Sequence, residues 1–290
     1  MRKDKAPLSL ILPGLVFVLV FTLYPTVYSL WLSFTDKMLT GGKTSFIGFR
    51  NYAELIERAE FWNSLRVTLV YVIVTIFFQI VLGLSLALLT DKKRIGRKLL
   101  RTVVLITWVI PEVVVSLTFQ WMFLGDKYGL INALLLYLGI INESLKWLSE
   151  PQLTLVVAIG MTVWRGVAFS MIMQMAALQS VPETLYEAAD IDGASYFQKL
   201  FRITIPNISS TILINLIIIT IATFNVMSLI YAFSGGGPVG ATEVISIYMY
   251  KSAFKEFRFG FASSISIIMF LINILFTSVY IRVTKKEFIT

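Results

Sequence analysis

Residues 180–206 read SVPETLYEAADIDGASYFQKLFRITIP, a polar stretch that lies between two long apolar runs. An S-x-x-E/Q pattern begins at Ser180 and again at Ser195. In such a capping box, a hydroxyl and a carboxylate or amide satisfy the first free N–H groups of a helix. Gly193 lies between the two boxes, where glycine adopts a positive φ without a steric clash. The stretch therefore predicts two short helices joined by a sharp bend at Gly193.

The rest of the chain has the composition of a membrane protein. Apolar residues make up 57% of the 290 residues and charged residues 14%, whereas soluble domains contain about 25% charged residues. A helix needs about 20 apolar residues to cross a hydrocarbon layer of roughly 30 Å. Six such runs occupy residues 8–30, 67–89, 102–124, 153–175, 208–233 and 261–283. They predict an all-α integral membrane protein with six transmembrane helices and both termini on one side.

Two apolar segments have a second interpretation. Residues 130–141 offer about 12 positions, too few to cross the membrane core, and are predicted to form an interfacial or re-entrant helix. The first run follows Arg2, Lys3 and Lys5, and a basic start is also typical of a signal peptide. We interpret the run as a retained span, because it is too long for a signal sequence and lacks a small-x-small cleavage site. The signal peptide is the alternative.

Basic residues near span ends indicate the orientation, because such residues favour the cytoplasmic side. The loop at residues 91–101 carries six of them: Lys92, Lys93, Arg94, Arg97, Lys98 and Arg101. This loop, both termini and residues 180–206 are therefore predicted to be cytoplasmic. The same pattern accounts for the net charge of +8, so no nucleic-acid partner is predicted.

Composition excludes several kinds of catalysis within this chain. The sequence has no cysteine and no histidine, which rules out disulfides, Cys–His metal sites and histidine-based triads. It also has no G-x-x-x-x-G-K-[ST] phosphate loop, since Gly235, Gly236 and Gly237 are followed by Pro238. We predict a non-catalytic subunit that binds no metal and no cofactor, with any ATP hydrolysis carried out by another chain.

Two ionisable residues lie inside predicted spans, Glu112 after Pro111 in the third and Arg165 in the fourth. A charge is costly there unless it is paired or reached by water. Because the two spans run in opposite directions and each residue lies about ten positions in, both fall near mid-depth. They are predicted to form an ion pair. Two roles are open: lining or gating a substrate path, or fixing how the helices pack.

The polar stretch also carries a signature: Glu-Ala-Ala, three residues, glycine and an apolar–proline ending. It resembles the EAA loop of binding-protein-dependent ABC importer permeases, in which this loop supplies a coupling helix to a cleft of the ATP-hydrolysing subunit. The resemblance implies an ATPase-coupling set of Glu187, Ala188, Ala189, Asp192 and Gly193, with Pro206 closing the motif. Glu187 would make polar contacts and Gly193 would provide the bend. The alternative is an amphipathic connector that lies on lipid headgroups.

Other segments resemble the sugar-importer branch of this family, the MalF-like and UgpA-like permeases. They are residues 46–52, 164–166, 177–179, 224–225, 235–238, 241–243, 253–254 and 259–260. The resemblance implies the MetI-like fold of type I ABC importer permeases. Residues 1–62 would form an N-terminal helix and short external loop, residues 63–283 a five-helix transmembrane domain, and residues 284–290 a cytoplasmic tail. A large external insertion like that of the maltose permease is missing.

In that family the substrate site lies midway through the membrane, among helices that match the fourth and fifth spans. A sugar needs aromatic faces for its C–H surfaces and amide or hydroxyl groups for its hydroxyls. The candidate substrate-path residues are Gly166, Phe169, Ser170, Thr223, Phe224 and Asn225. The alternative for each is ordinary helix packing. Asn225 is the strongest candidate, because an amide in hydrocarbon needs partners.

Gly235, Gly236, Gly237 and Pro238 follow the fifth span on the predicted external side. Such a sequence forms a turn, and the resemblance makes a contact with the extracytoplasmic binding protein the other interpretation.

The resemblance implies alternating access driven by ATP in the cytoplasmic membrane. The chain would form half of a pore with a second, MalG-like permease. Two cytoplasmic ABC ATPases would bind ATP and Mg²⁺, and an extracytoplasmic sugar-binding protein would deliver the substrate. The alternatives are a type I importer of another solute, such as a phosphate ester or amino acid, an ion-coupled secondary transporter that uses Glu112, and a membrane subunit without a pore.

Overall fold

Helices account for nearly all regular structure in the computed structural model of the protein, which describes residues 8–91 and 96–287. In chain order they are α1 (Leu8–Val18), α2 (Tyr24–Leu32), α3 (Arg50–Glu57), α4 (Ala59–Asp91), α5 (Arg97–Val109), α6 (Glu112–Met122), α7 (Leu130–Tyr137), α8 (Pro151–Leu178), α9 (Glu183–Ile191), α10 (Tyr196–Lys199), α11 (Ile205–Phe224), α12 (Ser228–Ser234), α13 (Ile245–Phe254) and α14 (Phe259–Glu287). Short π-helical segments join α1 to α2 and α10 to α11. The all-α prediction is confirmed.

Five helical segments of the described residues are long and apolar enough to cross a membrane. They are Leu12–Leu32, Ala59–Thr90, Pro151–Leu178, Tyr196–Phe224 and Phe259–Arg282. The sixth predicted span exists only if α5 and α6 are counted together. Several basic residues used for the orientation fall outside the described residues, namely Arg2, Lys3, Lys5, Lys92, Lys93 and Arg94, as does the end of the predicted tail.

The third predicted span is broken at a proline. α5 ends at Val109, α6 begins at Glu112, and the two are bent by 101°. Pro111 has no N–H to donate and disfavours a helical conformation in the residue before it. Ile110 is accordingly extended, with a ψ of 131°. The prediction of one continuous helix over residues 102–124 was wrong at this point.

The fifth predicted span is also interrupted. α11 ends at Phe224, and a new helix begins only at Ser228. At the break, the backbone N–H and the side-chain amide of Asn225 both donate to the carbonyl of Ile221, at 3.2 and 2.7 Å. An Asn side chain that bonds nearby backbone groups offers the chain an alternative to further helix. The continuous helix predicted over residues 208–233 was therefore wrong beyond Phe224.

The first capping box predicted for the polar stretch is not present. The hydroxyl of Ser180 donates to the carbonyl of Ala177 at 2.7 Å, so it closes the end of α8. α9 begins at Glu183, directly after Pro182, with no side-chain cap. Proline fits this place because the first N–H groups of a helix have no intrahelical partner in any case.

The second capping box and the bend are present as predicted. Gln198 N donates to Ser195 Oγ at 3.4 Å, and Ser195 N donates to Gln198 Oε1 at 2.7 Å. Gly193 has a φ of 71°. The helix that starts after Ser195 is not short, because it continues through the π-helical segment into the long stretch Tyr196–Phe224. The polar stretch is thus one short helix, a bend and the beginning of a span.

α7 covers only Leu130–Tyr137. A helix of that length reaches less than half of the distance across a hydrocarbon core. It agrees with the prediction of a short, non-spanning helix at residues 130–141, although it ends four residues earlier.

The chain divides into two compact units. Met1–Trp62 with Tyr248–Ile272 forms one, and Asn63–Ile247 with Asn273–Thr290 forms the other. The first contains a charged cluster: Glu54 accepts hydrogen bonds from Arg258 Nη1 and Nη2 at 2.6 Å each and from Arg58 Nη2 at 2.7 Å. The two guanidinium groups lie 4.5 and 4.7 Å from the ring centre of Phe261, a cation–π arrangement.

In the second unit, α8 is the central helix and contacts α5, α6, α11 and α12. A buried polar network links it to two other helices. Gln174 Nε2 donates to the carbonyl of Ile80 at 3.2 Å and to Ser170 Oγ at 2.9 Å, and Asn215 Nδ2 donates to Ser170 Oγ at 2.7 Å. Because polar groups in an apolar interior need partners, this network fixes how α4, α8 and α11 face one another.

Candidate substrate site and coupling hairpin

A cavity of about 260 Å³ lies among the helices of the second unit. α4, α5, α6, α8, α11 and α12 border it, together with the break after α11. Its lining consists of Gln79, Trp108, Glu112, Thr162, Arg165, Gly166, Phe169, Ile218, Ile219, Ala222, Thr223, Val226 and Leu229. Most of this wall is apolar, with a few polar groups, which is the usual character of a small-molecule site.

Glu112 and Arg165 meet at the wall of this cavity. Arg165 Nη1 lies 3.3 Å from Glu112 Oε1, and the two side chains are 24% and 33% exposed, respectively. The hydroxyl of Ser228 donates to the other oxygen of the same carboxylate. Glu112 is the first residue of α6 and Ser228 the first of α12. The carboxylate therefore ties together the helix starts that follow the two breaks and one side chain of α8.

The segments after the two breaks are bound side by side. Ser116 Oγ donates to the carbonyl of Leu229 at 2.6 Å, and Gln120 Nε2 donates to that of Ala232 at 3.2 Å. Ser116 and Leu229 are both buried. These side-chain bonds join α6 to α12 at two places along the helices.

Aromatic and amide groups form another part of the wall. The rings of Trp108 and Phe169 lie 5.9 Å apart, tilted by 41°. Gln79 Nε2 donates to the carbonyl of Thr162 at 3.1 Å. A Cβ on Gly166 would lie 2.1 Å from the same nitrogen, so the absence of a side chain at Gly166 makes room for Gln79.

The structure brings three of the six predicted substrate-path residues to the cavity: Gly166, Phe169 and Thr223. The other three lie elsewhere. Ser170 is buried in the network with Gln174 and Asn215. Phe224 is fully buried and packs edge-on against Phe276. Asn225 is exposed at the end of α11 and accepts a 3.4 Å hydrogen bond from Asn273 Nδ2. These three residues do not line the cavity, and their predicted place in the substrate path stays a prediction.

Sequence reasoning missed Gln79, Trp108 and Thr162, which come from α4, α5 and α8. It concentrated on two spans, whereas the cavity is lined by six helices. One signal was available: Gln79 is the only amide in the apolar run at residues 67–89. An amide at membrane depth needs hydrogen-bond partners and marks a functional or packing site.

The hairpin of residues 180–206 exposes most of its predicted coupling residues. Glu187, Ala188, Asp192 and Gly193 are exposed, whereas Ala189 is buried. Three contacts hold the hairpin in shape: the hydroxyls of Tyr186 and Thr204 lie 2.9 Å apart, Lys199 pairs with Asp190, and Ala194 N donates to the carbonyl of Ala189 at 2.9 Å. The buried Ala189 therefore supports the bend from within.

Large apolar side chains stand out from the same hairpin. Ile191 is 88% exposed, Phe197 67% and Phe201 63%. The ring of Phe197 contacts that of Tyr196 at 5.7 Å, edge to face. Apolar groups clustered beside exposed charges are typical of a surface that binds another protein.

The loop after α12 is held by its own hydrogen bonds. Thr242 Oγ1 donates to the carbonyl of Gly237 at 2.6 Å, and Gly237 N donates to that of Ser234 at 3.0 Å. Asn63 Nδ2 adds a bond to Gly240 O at 3.1 Å. Val239, next to Pro238, is 95% exposed. The predicted Gly235–Gly236–Gly237–Pro238 turn is thus an ordered loop that presents an apolar side chain.

The chain is similar to known membrane transport proteins along almost its whole length. A family described as "Binding-protein-dependent transport system inner membrane component" matches residues 79–287. The chain is 36% identical over 284 residues to the trehalose/maltose transport system permease protein MalF of Thermococcus litoralis, covering 98% of this chain and 95% of that protein. It is 30% identical over 279 residues to the sulfoquinovosyl glycerol transport system permease protein SmoG of Agrobacterium fabrum, covering 96% and 90%.

Solved structures share the fold. A chain of a bacterial alginate ABC transporter, in complex with an alginate pentasaccharide-bound periplasmic protein, superposes with a TM-score of 0.84 at 23% identity, covering 96% of this chain and 93% of that one. A chain of the MetNI methionine ABC transporter in inward-facing conformations gives a TM-score of 0.56 at 18% identity, covering 82% and 98%. The fold is therefore that of an ABC importer permease, as the EAA resemblance implied.

Proposed function

Because this chain belongs to the family of binding-protein-dependent transport system inner membrane components, we propose that it is the permease half of an importer that moves a sugar or oligosaccharide. The family is one of membrane subunits without catalytic activity of their own. ATP and Mg²⁺ are bound by a separate ATPase chain in this proposal.

The observation that carries the sugar proposal is the wall of the cavity. The tilted pair of Trp108 and Phe169 offers two aromatic faces, and C–H surfaces of sugars pack on such faces. Gln79, Thr162 and Thr223 add amide and hydroxyl groups to the same cavity. Two relatives that match almost the full chain carry trehalose/maltose and sulfoquinovosyl glycerol in their names, which supports the same substrate class.

The hairpin is the proposed contact with the ATPase. Glu187 and Asp192 supply exposed carboxylates, and Ile191 and Phe197 supply exposed apolar groups. A docking surface needs both kinds of contact. Two ATPases and a second, MalG-like permease complete the assembly, since the cavity described above is contributed by one chain only and a pore has two halves.

The loop of Gly235 to Pro238 is the proposed contact with the binding protein. It is ordered by Thr242 and presents Val239 to its surroundings. The similar alginate transporter was solved in complex with its periplasmic protein, which supports a partner of this kind. The proposed location is the cytoplasmic membrane, with both termini and the hairpin on the cytoplasmic side.

The proposed mechanism is alternating access. ATP binding closes the two ATPases and draws the coupling hairpins together, the pore opens outward, and the binding protein releases its sugar into the cavity. Hydrolysis returns the pore to the inward-facing state. Such coupling requires that each partner bind the two states with different free energies. The two broken helices, α5–α6 and α11–α12, are the segments suited to different arrangements.

Family membership disfavours the ion-coupled transporter. In that alternative Glu112 would be a site for a proton or sodium ion, yet its two oxygens are occupied by Arg165 and Ser228. An importer of a phosphate ester or an amino acid is the remaining alternative of the same class.

Uptake measurements with the assembled transporter test the proposal. Trp108→Ala should lower sugar uptake about 5-fold or more, because an aromatic contact contributes about 1 kcal/mol or more to binding. Trp121→Ala is the matched control, since Trp121 is 74% exposed and does not line the cavity. Uptake of an amino acid or phosphate ester in place of every sugar offered would contradict the proposal.

A further inference from the structure

The charges on the cavity wall balance one another. Of the described residues that line it, Glu112 and Arg165 are the ionisable ones, and their charged atoms lie 3.3 Å apart. The rest of the lining is aromatic, aliphatic, amide or hydroxyl. A substrate in this cavity therefore meets no net charge.

Glu112 is fixed in its place. It begins α6, where the positive end of the helix dipole favours a carboxylate, and the hydroxyl of Ser228 holds its second oxygen. Ser228 in turn belongs to α12, which is bound to α6 through Ser116 and Gln120. Moving the carboxylate away from Arg165 would also break its hydrogen bond with Ser228.

Arg165 keeps donors to spare. A guanidinium has five N–H donors, and the contact with Glu112 is the one polar contact of Arg165 among the described residues. That contact involves Nη1. The other terminal nitrogen, Nη2, can therefore donate to the oxygen of a neutral sugar hydroxyl while Arg165 remains paired with Glu112.

From this geometry we infer that the Glu112–Arg165 pair makes the cavity selective for uncharged sugars and against sugar acids and sugar phosphates. The inference rests on the proposed function. An anionic sugar that bound Arg165 would approach the carboxylate of Glu112, and repulsion between the two like charges disfavours binding. Glu112 is thus a specificity-determining residue that acts through charge, and Arg165 is the residue that holds the substrate.

Saturation-transfer NMR on the transporter complex in nanodiscs, without the binding protein, tests the inference directly. The probes are maltose, trehalose and maltotriose, each mixed with an equimolar counterpart that carries one carboxylate. The wild type should favour the neutral member at least 10-fold. Glu112→Gln should lower this ratio at least 10-fold, because Arg165 then becomes an uncompensated cation.

Two further variants separate selectivity from general damage. The double variant Glu112→Gln, Arg165→Gln removes both charges. It should not bind anionic sugars as well as Glu112→Gln alone does, and it should fold because no unpaired charge is left in the cavity. Glu143→Gln, at an exposed position outside the cavity, should leave the ratio unchanged.

The outcomes distinguish this inference from the proposed function. A wild type that favours the anionic sugars, or a Glu112→Gln ratio equal to that of the wild type, overturns the inference and leaves the sugar importer standing. A wild type that binds no sugar of either kind contradicts the proposed function itself, and the inference with it.

Discussion

At the scale of single residues, the cavity depends on what is missing from Gly166. A methyl group there would lie 2.1 Å from Gln79 Nε2, so the amide would have to leave its carbonyl partner on Thr162. The displaced group is the flexible end of a long side chain rather than backbone. The result is a change in the site more than in the fold.

Gly166→Ala should therefore raise the KM for sugar several-fold and cost only about 1 kcal/mol of stability, the usual value of one hydrogen bond. Gly160→Ala on the same helix is the control, because nothing lies within 4 Å of the position its Cβ would take. Uptake kinetics and the melting temperature of the purified complex measure the two effects. Equal KM values for the two variants would contradict this role of Gly166.

Glu54 is expected to make the stability of the fold depend on pH. Hydrogen bonds from Arg258, and then from Arg58, lower the pKa of its carboxyl from an ordinary value of 4.5 to about 2. The folded state thus holds the proton less tightly than the unfolded state. The stabilisation is complete above about pH 4.5 and is lost as the pH falls towards about 2.

Glu54→Gln should lower the Tm at pH 7 and reduce its decline between pH 5 and pH 3, measured by thermal melting of the complex. The free energy of unfolding at pH 7 should fall by about 1–2 kcal/mol. The decrease is modest because each side chain of the pair is about a third exposed, so water screens the interaction. Glu57→Gln, exposed on the same helix, should behave as the wild type. A wild-type Tm that stays constant over this pH range would contradict the assignment.

At the scale of helices, breaks position the site. Pro111 ends α5 and Asn225 ends α11, so that Glu112 and Ser228 open new helices whose first residues meet at one carboxylate. If the third span were one straight helix, the 101° bend would be absent and Glu112 would continue along the axis of α5. The site is therefore built from helix ends as well as from helix faces.

The hairpin depends on its bend. Gly193 adopts a φ of 71° in open space, so an alanine there is strained by about 1 kcal/mol or more without any clash. Gly193→Ala should reorient α9 and lower sugar-stimulated ATP hydrolysis several-fold while the complex still assembles with its second permease. Gly139→Ala provides the control, because Gly139 has a similar φ of 65°, also in open space, but lies far from the hairpin in sequence. Equal sugar-stimulated ATP hydrolysis in Gly193→Ala and Gly139→Ala would argue against the hairpin as the contact with the ATPase.

At the scale of the whole molecule, the proposed function makes the chain one part of an assembly. A tagged chain extracted in mild detergent should bring with it a second permease and an ATPase, identified by mass. Glu187→Arg should remove the ATPase and retain the second permease, because the exposed carboxylate lies on the hairpin. Retention of the permease shows that the variant is folded. Recovery of the chain alone, with or without the change, would favour a transporter that works without partners.

Several of the predictions rested on short patterns in the sequence. Runs of apolar residues located the spans, Ser195 and Gln198 formed their capping box, and Gly193 took a positive φ. These depend on steric and hydrogen-bonding preferences within a few residues, which a sequence states directly. The EAA signature identified the family for the same reason, since its residues are close together in the chain.

The sequence by itself thus determined the all-α membrane class, the family and the hairpin's bend. Only the tertiary structure decided that Gln79, Trp108 and Thr162 line the cavity, whereas Ser170, Phe224 and Asn225 do not. It also decided that Ser228 binds the second oxygen of Glu112, whose pairing with Arg165 was already a prediction from the sequence. The physical reason is that a site is formed by side chains far apart in sequence, and their convergence depends on the packing and bending of whole helices, which no short pattern encodes.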